Sequence, residues 1–339
     1  MFRNKLLQYV LLILLVVTSG RSMALGECGL SCCLAGANSS GVTLAENFGI
    51  SMQYEYSDMV TIRNGTNSIS PDEVINRFWS GGSSYAVPTK MIMEKLSFIG
   101  ALPINERWQL IGIIPYIRNN MDMRMKSGGG MIMNTKMDTI SGIGDASILA
   151  FYTAYTDAPV RPKERLTLGF GLKTPTGKND SRTSSGAMVH AMMQAGSGSW
   201  DPLFTVNYMH AWYPWVMQVS GFYHMTTKSD KGYEFGDQVG MDLMLRKQVS
   251  AYFNVGVELN AIHTAQDKDY DGNYTRNTMP DNVNNTGLTS VSLTPGIQYK
   301  IPNSGGSVGI KYQRPIYQDV RGYQQVLDER LLLTLNWAW

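Results

Sequence analysis

From residue 329 to the end, apolar and polar positions alternate. Leu331, Leu333, Leu335, Trp337 and Trp339 take every second place, with Leu332, Thr334, Asn336 and Ala338 between them. A period of two puts the two sets on opposite faces of an extended strand. One face is wholly apolar and finishes in two aromatics. The pattern recurs upstream. Over 250–263, Phe253, Val255, Val257, Leu259 and Ala261 alternate with Asn254, Gly256, Glu258 and Asn260. Residues 47–59, 165–174, 215–225 and 288–301 alternate as clearly. Residues 90–102, 107–118, 140–155, 189–212, 236–246 and 307–314 do so less regularly, and Pro115 weakens pairing within its strand.

The pattern predicts about twelve strands, and the connections between them alternate in length. Short ones fall near 103–106, 156–163, 213–214, 247–249 and 302–306. Long ones fall near 60–88, 119–139, 175–190, 227–235, 264–287 and 315–327. A soluble β-sandwich matches the strand count but gives no reason for loop lengths to alternate. Short turns on one side of a membrane and long loops on the other do. The expected fold is all-β: an antiparallel transmembrane β-barrel of about twelve strands over 47–339, with both termini on the periplasmic side.

In such a barrel one face of each strand meets lipid and the other meets the lumen. The lipid-facing set, on which assembly depends, is expected to include Phe253, Val255, Val257, Leu259, Leu335, Trp337 and Trp339. The inward set is expected to include Glu55, Lys173, His224, Asp242, Arg246, Glu258, Lys300 and Lys311. These charges are of mixed sign, interspersed with small residues such as Gly169, Gly240, Gly256 and Gly296. For any one of them the plain role is pairing across the lumen. As a set they line a polar path.

The first residues set the compartment. Arg3 and Lys5 precede an apolar run from 6 to 17, and Ser22, Met23 and Ala24 supply a small-residue cleavage site, so 1–24 reads as a secretory signal peptide. Beyond it there is no run of about 18 apolar residues and hence no helical span. Loss of Arg3, Lys5 and Arg21 takes the basic residues from 29 to 26 against 27 acidic ones. That near-neutral balance offers nothing to nucleic acid.

Three groups are candidates for chemistry. Cys28, Cys32 and Cys33 lie in a periplasmic segment over 25–46. Their spacing matches neither a zinc site nor covalent haem, which leaves a disulfide or a redox role. Met121, Met123, Met125, Met131 and Met133 surround Gly128, Gly129 and Gly130 in the long connection over 119–139. Thioethers suit Cu(I), but alternating Met is also simply an apolar face. His190, Ser197, Ser199 and Asp201 lie close in sequence without the spacing of a known hydrolase, and no catalytic residue is assigned.

Short motifs carry a resemblance along most of the chain. Residues 141–152 (SGIGDASILAFY), 194–202 (QAGSGSWDP) and the closing aromatic strand are similar to outer-membrane transporters grouped under the meta-pathway of phenol degradation. The early Cys cluster followed by 54–56 and 62–66 resembles a subset of that family. The ending also resembles the terminal signature read by barrel-assembly machinery. The resemblance implies an outer-membrane channel or transporter of a Gram-negative cell. It supplies no cofactor and no catalytic residue. With the polar inner faces, the expected function is passage of a small polar or amphipathic solute. The alternative is a porin-like sleeve around a periplasmic multihaem cytochrome, which the Cys segment and the absence of a haem motif would suit.

Overall fold

The computed structural model describes residues 48–159, 162–184, 186–274 and 277–339. The expected signal peptide and the segment 25–46, with Cys28, Cys32 and Cys33, lie outside the described residues. Twelve strands form the wall: β1 Gly49–Met59, β2 Tyr85–Pro103, β3 Trp108–Lys126, β4 Ser147–Thr156, β5 Glu164–Lys173, β6 Asp201–Trp212, β7 Trp215–His224, β8 Gln238–Gln248, β9 Phe253–Thr264, β10 Leu288–Lys300, β11 Gly306–Gln325 and β12 Glu329–Ala338. Each pairs antiparallel with the next in sequence, from β1–β2 through β11–β12. The final strand pairs with the first, Ile50 opposite Trp337 and Glu55 opposite Leu332, and closes the barrel. Closure leaves no open sheet edge, as a hydrocarbon environment requires. Both described termini lie at the short-turn end. No helix among the described residues is long and apolar enough to cross a membrane.

Side-chain parity sorts the two faces. On β1, Ser51, Gln53, Glu55 and Ser57 are buried while Ile50 is exposed. The outer surface carries an apolar band that includes Phe98, Ile114, Ile148, Phe204, Leu243, Val257, Leu293 and Ile310. An aromatic rim marks its short-turn edge. Trp108 lies 4.9 Å from Tyr152, Phe253 4.9 Å from Tyr299, and Phe48 5.4 Å from Trp339, centroid to centroid. Apolar band and rim together match the outer surface of a membrane barrel.

Three segments depart from the sequence-based expectation. The Met-rich stretch is not a loop between strands. β3 continues to Lys126, and Ile132–Lys136 returns beside it with Met125 opposite Met133. The period of two runs unbroken through Met121, Met123 and Met125, so the strand simply extends, and Gly130 takes a positive φ in the turn. Residues 140–155 form two strands, Ile140–Ile143 and β4, broken at 144–146, where the Gly144 amide donates to Pro115 O. Residues 315–325 are also strand. Pro315 sits at a bulge, where the register moves from Ser292–Pro315 to Val291–Tyr317. A bulge is where a strand tolerates proline. The extra residue, Ile316, shifts the inward parity from odd (Lys311, Gln313) to even (Gln318, Val320).

The long connections pack together at the opposite end. A helix, α1 (Pro71–Phe78), is capped by Ser70 and buries Val74 and Ile75 against Ile62, Val87, Met279 and Tyr323. Ala191, Tyr233 and Tyr274 make a second cluster among the loops. Residues 174–200 turn inward: the inward-facing Asn119 of β3 donates to Met193 O at 3.1 Å.

Candidate functional site

The lumen is the candidate site, and it is layered. Nearest the long-loop end is an apolar layer. Met91, Met121, Met123, Val189 and Met193 are buried together, with Met59, Met93, Met125 and Met137 packed against them. Strand pairing explains part of this. Met59 lies opposite Met91, Met91 opposite Met121, and the Met137 amide donates to Met121 O. Four methionines thus stand in one row across adjacent segments. Met193, fully buried, covers them from residues 174–200. Of the five methionines singled out in the sequence, Met121, Met123 and Met125 join this layer. Met131 is 64% exposed at the hairpin tip, so the five do not converge on one point.

Below it lies an ion-pair node that anchors the inserted segment. Lys173 Nζ is 2.8 Å from Asp145 Oδ2 and 2.7 Å from Asp201 Oδ2, and it also contacts Ser197 Oγ. Asp145 accepts from the amides of Gly177 and Ser197 at 2.9 and 2.8 Å. His224 Nε2 lies 3.3 Å from Asp201 Oδ2. Gly177 and Gly196 cross with no room for side chains: a Cβ on Gly196 would sit 2.4 Å from Gly177 C. His190 turns away, its Nδ1 accepting from the Met192 amide and its Nε2 meeting Pro280 O. Ser197 and Ser199 therefore belong to the node and His190 to the loop cap.

The middle of the lumen is two-sided. Along β2–β4 and β6, Ala101, Ile111, Ile113, Leu149, Phe151 and Leu203 form a buried apolar cluster facing in. Gly169 and Gly171 of β5 leave space for Phe151 and Leu149. The other wall is charged and hydrogen-bonded. Glu55 lies 2.9 Å from Lys95 Nζ and 3.2 Å from Arg330 Nε. Glu258 lies 2.5 Å from Lys311 Nζ. Asp242 accepts from Asn260 Nδ2 at 2.7 Å. Arg246 and Lys300 are half-buried and share the inward parity of Asp242 and Gln298. Phe253, Val255, Val257, Leu259 and Trp339 are exposed on the outer face, and Leu335 and Trp337 share that face half-buried.

Sequence reading missed several of these groups. Arg330 follows from extending the β12 parity back by one residue. Lys95 was hidden because β2 carries apolar residues on both faces. Asp145 sits in a strand break within the 141–152 motif, which the period of two does not mark. The inward apolar cluster contradicts a uniformly polar lumen: Ile111, Ile113 and Leu149 fill space on the inner wall, where a lumen this narrow is packed by side chains.

A family model described as "Putative MetA-pathway of phenol degradation" matches residues 97–326, more than half of the chain. Among solved structures, an outer membrane channel from Pseudomonas putida F1 is similar at 12% identity and a TM-score of 0.57, covering 86% of this chain and 95% of that one. A Pseudomonas aeruginosa FadL homologue aligns at 11% identity and a TM-score of 0.46, covering 95% and 98%. No curated protein matches the chain. The first of these likenesses places the fold among outer-membrane β-barrels. With the family match spanning β2 to β11, the chain belongs to the MetA-pathway of phenol degradation family.

Proposed function

We propose that the protein is an outer-membrane channel that passes a small amphipathic solute, with its short turns and both termini on the periplasmic side. The two-sided lumen carries this reading. An apolar strip on β2–β4 and β6 faces a charged strip on β1 and β8–β12. A path for a purely polar solute would not devote one wall to Ile, Leu and Phe. A path for a hydrocarbon would not line one wall with Glu55, Lys95, Arg330, Glu258 and Lys311. An amphipathic solute uses both walls. The thioether layer and residues 174–200 cover the long-loop mouth, so entry on that side requires the inserted segment to move.

The test is single-channel conductance of the full mature chain in a planar bilayer, paired with solute flux into liposomes. Discrete openings and flux of small amphipathic solutes are expected. A folded barrel with no conductance and no flux, recovered in a complex with a multihaem cytochrome, would replace the channel with the sleeve.

A further inference from the structure

One row of the lumen wall is polar without interruption. Strand pairing sets Thr167, Asn207, Ser220, Asp242, Asn260 and Ser292 side by side from β5 to β10. All are buried on the inward face. Along the strands the row is flanked by apolar groups, with buried Phe222 on one side and buried Met209 and Met244 on the other. The Phe222 ring lies over Gly240, where a Cβ would sit 2.1 Å from Phe222 Cε1. The row carries one charge. Asp242 is 8% exposed, and its Oδ1 accepts from Asn260 Nδ2 at 2.7 Å. Its Oδ2 is buried and meets no hydrogen-bond donor among the described residues. On the β7 side, Ser220 Oγ accepts from Gln218 Nε2 at 3.1 Å. The charged groups that reach Asp242 are Glu258 and Lys311, and those two hold each other in an ion pair. The three together carry one surplus negative charge.

We propose that Asp242 holds an alkali-metal cation within this polar row. A buried carboxylate stays ionised only where a cation pairs with it or a metal binds it, and a buried oxygen left without a partner marks the place of an ion, a water or a proton. The groups beside Asp242 favour the ion. They offer oxygen, the donor of hard cations: the carboxylate itself and the hydroxyl of Ser220 directly opposite in register. One surplus negative charge matches a monovalent ion. A divalent ion gathers several carboxylates, and Glu258 is committed to Lys311. An alkali ion takes the room of a water molecule or less, so the site asks for no ligand-sized cavity. The bound cation would keep Asp242 charged at the centre of the row, whatever solute the channel passes.

The experiment measures the temperature at which the full mature chain loses its folded band on a gel. The chain is heated in non-ionic detergent with NaCl, KCl or tetramethylammonium chloride at equal ionic strength. Tetramethylammonium is too large to enter between packed side chains. The wild type is expected to hold its fold roughly 2–4 °C higher in the better alkali salt than in tetramethylammonium chloride, because a ligand bound only by the folded state stabilises it. Asp242→Asn, neutral and of the same shape, should lose its fold at one temperature in all three salts. Ser220→Ala should need several-fold more alkali salt for half the effect. Crystals of the wild type grown with thallium(I), a stand-in for potassium, should show an anomalous peak beside Asp242. Should Asp242→Asn fail to fold, that peak alone decides. A wild type indifferent to the salt, with no thallium peak, would overturn the site and leave a carboxyl that carries a proton or meets water. A salt difference that survives in Asp242→Asn would overturn it too, by placing the ion elsewhere. Neither readout involves current or flux, so failure here leaves the channel reading untouched.

Discussion

Adjacent residues in one strand have opposite roles here. Val257 is 40% exposed on the outer face and Glu258 is 4% exposed in the lumen. A charge on the lipid face near the bilayer midplane costs about 2–4 kcal/mol, so Val257→Arg should cut the yield of heat-modifiable, outer-membrane-inserted protein. Glu258→Gln should assemble normally and strengthen anion preference, because it removes the carboxylate opposite Lys311. Equal assembly defects in the two would mean the facing is wrong. Asp145 makes a different prediction. It holds the amides of Gly177 and Ser197 together with Lys173, and losing hydrogen bonds to a charged acceptor costs about 1.5–3 kcal/mol each. Asp145→Ala should release residues 174–200 from the lumen, seen as larger mean conductance and faster proteolysis within 180–190 while the barrel stays folded. Asp267, in the loops above β9, is buried, and that burial raises its pKa above the usual carboxylate range despite hydrogen bonds from Tyr233 and Gly236. The folded loops therefore bind its proton more readily than unfolded chain does. They should gain stability as pH falls through the raised pKa and lose that gain as pH rises. Amide protection over 226–237 and 265–274, exchange rates taken relative to the intrinsic rate at each pH, should be higher at pH 4 than at pH 7, and Asp267→Asn should flatten the difference.

At the scale of the element, period alone predicted strands, while packing decided how far they run. The Met row across β1, β2, β3 and the segment at 137 illustrates this. Its sulfurs line an apolar layer sealed by Met193. Leu and Met exchange in a packed core for under about 1.5 kcal/mol. Met121→Leu and Met123→Leu should therefore keep assembly, thermal stability and whatever Ag(I) affinity the wild type shows. A loss of Ag(I) binding in either would instead make the row a soft-metal site. The bulge in β11 is the second case. Ile316 is the residue that turns the strand's facing over, placing Gln318 and Val320 inside, and a second register shift between Val320 and Tyr323 then brings Tyr323 against Ile62 and α1. Deleting Ile316 should rotate everything after it to the wrong face. The expected outcome is failed assembly, whereas Ile316→Val, which keeps the count, should assemble.

At the scale of the molecule, closure does most of the work. A twelve-stranded wall without edges satisfies its backbone internally, so the outer face needs only to be apolar and the lumen is left to carry charge. At the closing seam β12 meets β1 over ten residue pairs, finishing where Trp339 packs on Phe48. Trp339→Ala should lower the rate of outer-membrane insertion without changing the conductance of the barrels that do form, because the ring lies at the rim and far from the lumen.

Strand number, the two faces of each strand and the alternation of short and long connections were legible in the amino-acid order, because a period of two and the placement of Gly, Pro and Asn act locally. That is also why Glu258 and Val257 could be told apart without coordinates. Three things required the tertiary structure. Asp145 becomes an anchor only because a break at 144–146 meets Lys173 on another strand. Ile111, Ile113 and Leu149 face inward although apolar, since they pack with Ala101, Phe151 and Leu203, which pairing of neighbouring strands brings beside them. The Ser220–Asp242–Asn260–Ser292 row exists only in the register of four strands, and register is a long-range property: each residue's partner is chosen by closure of the whole barrel.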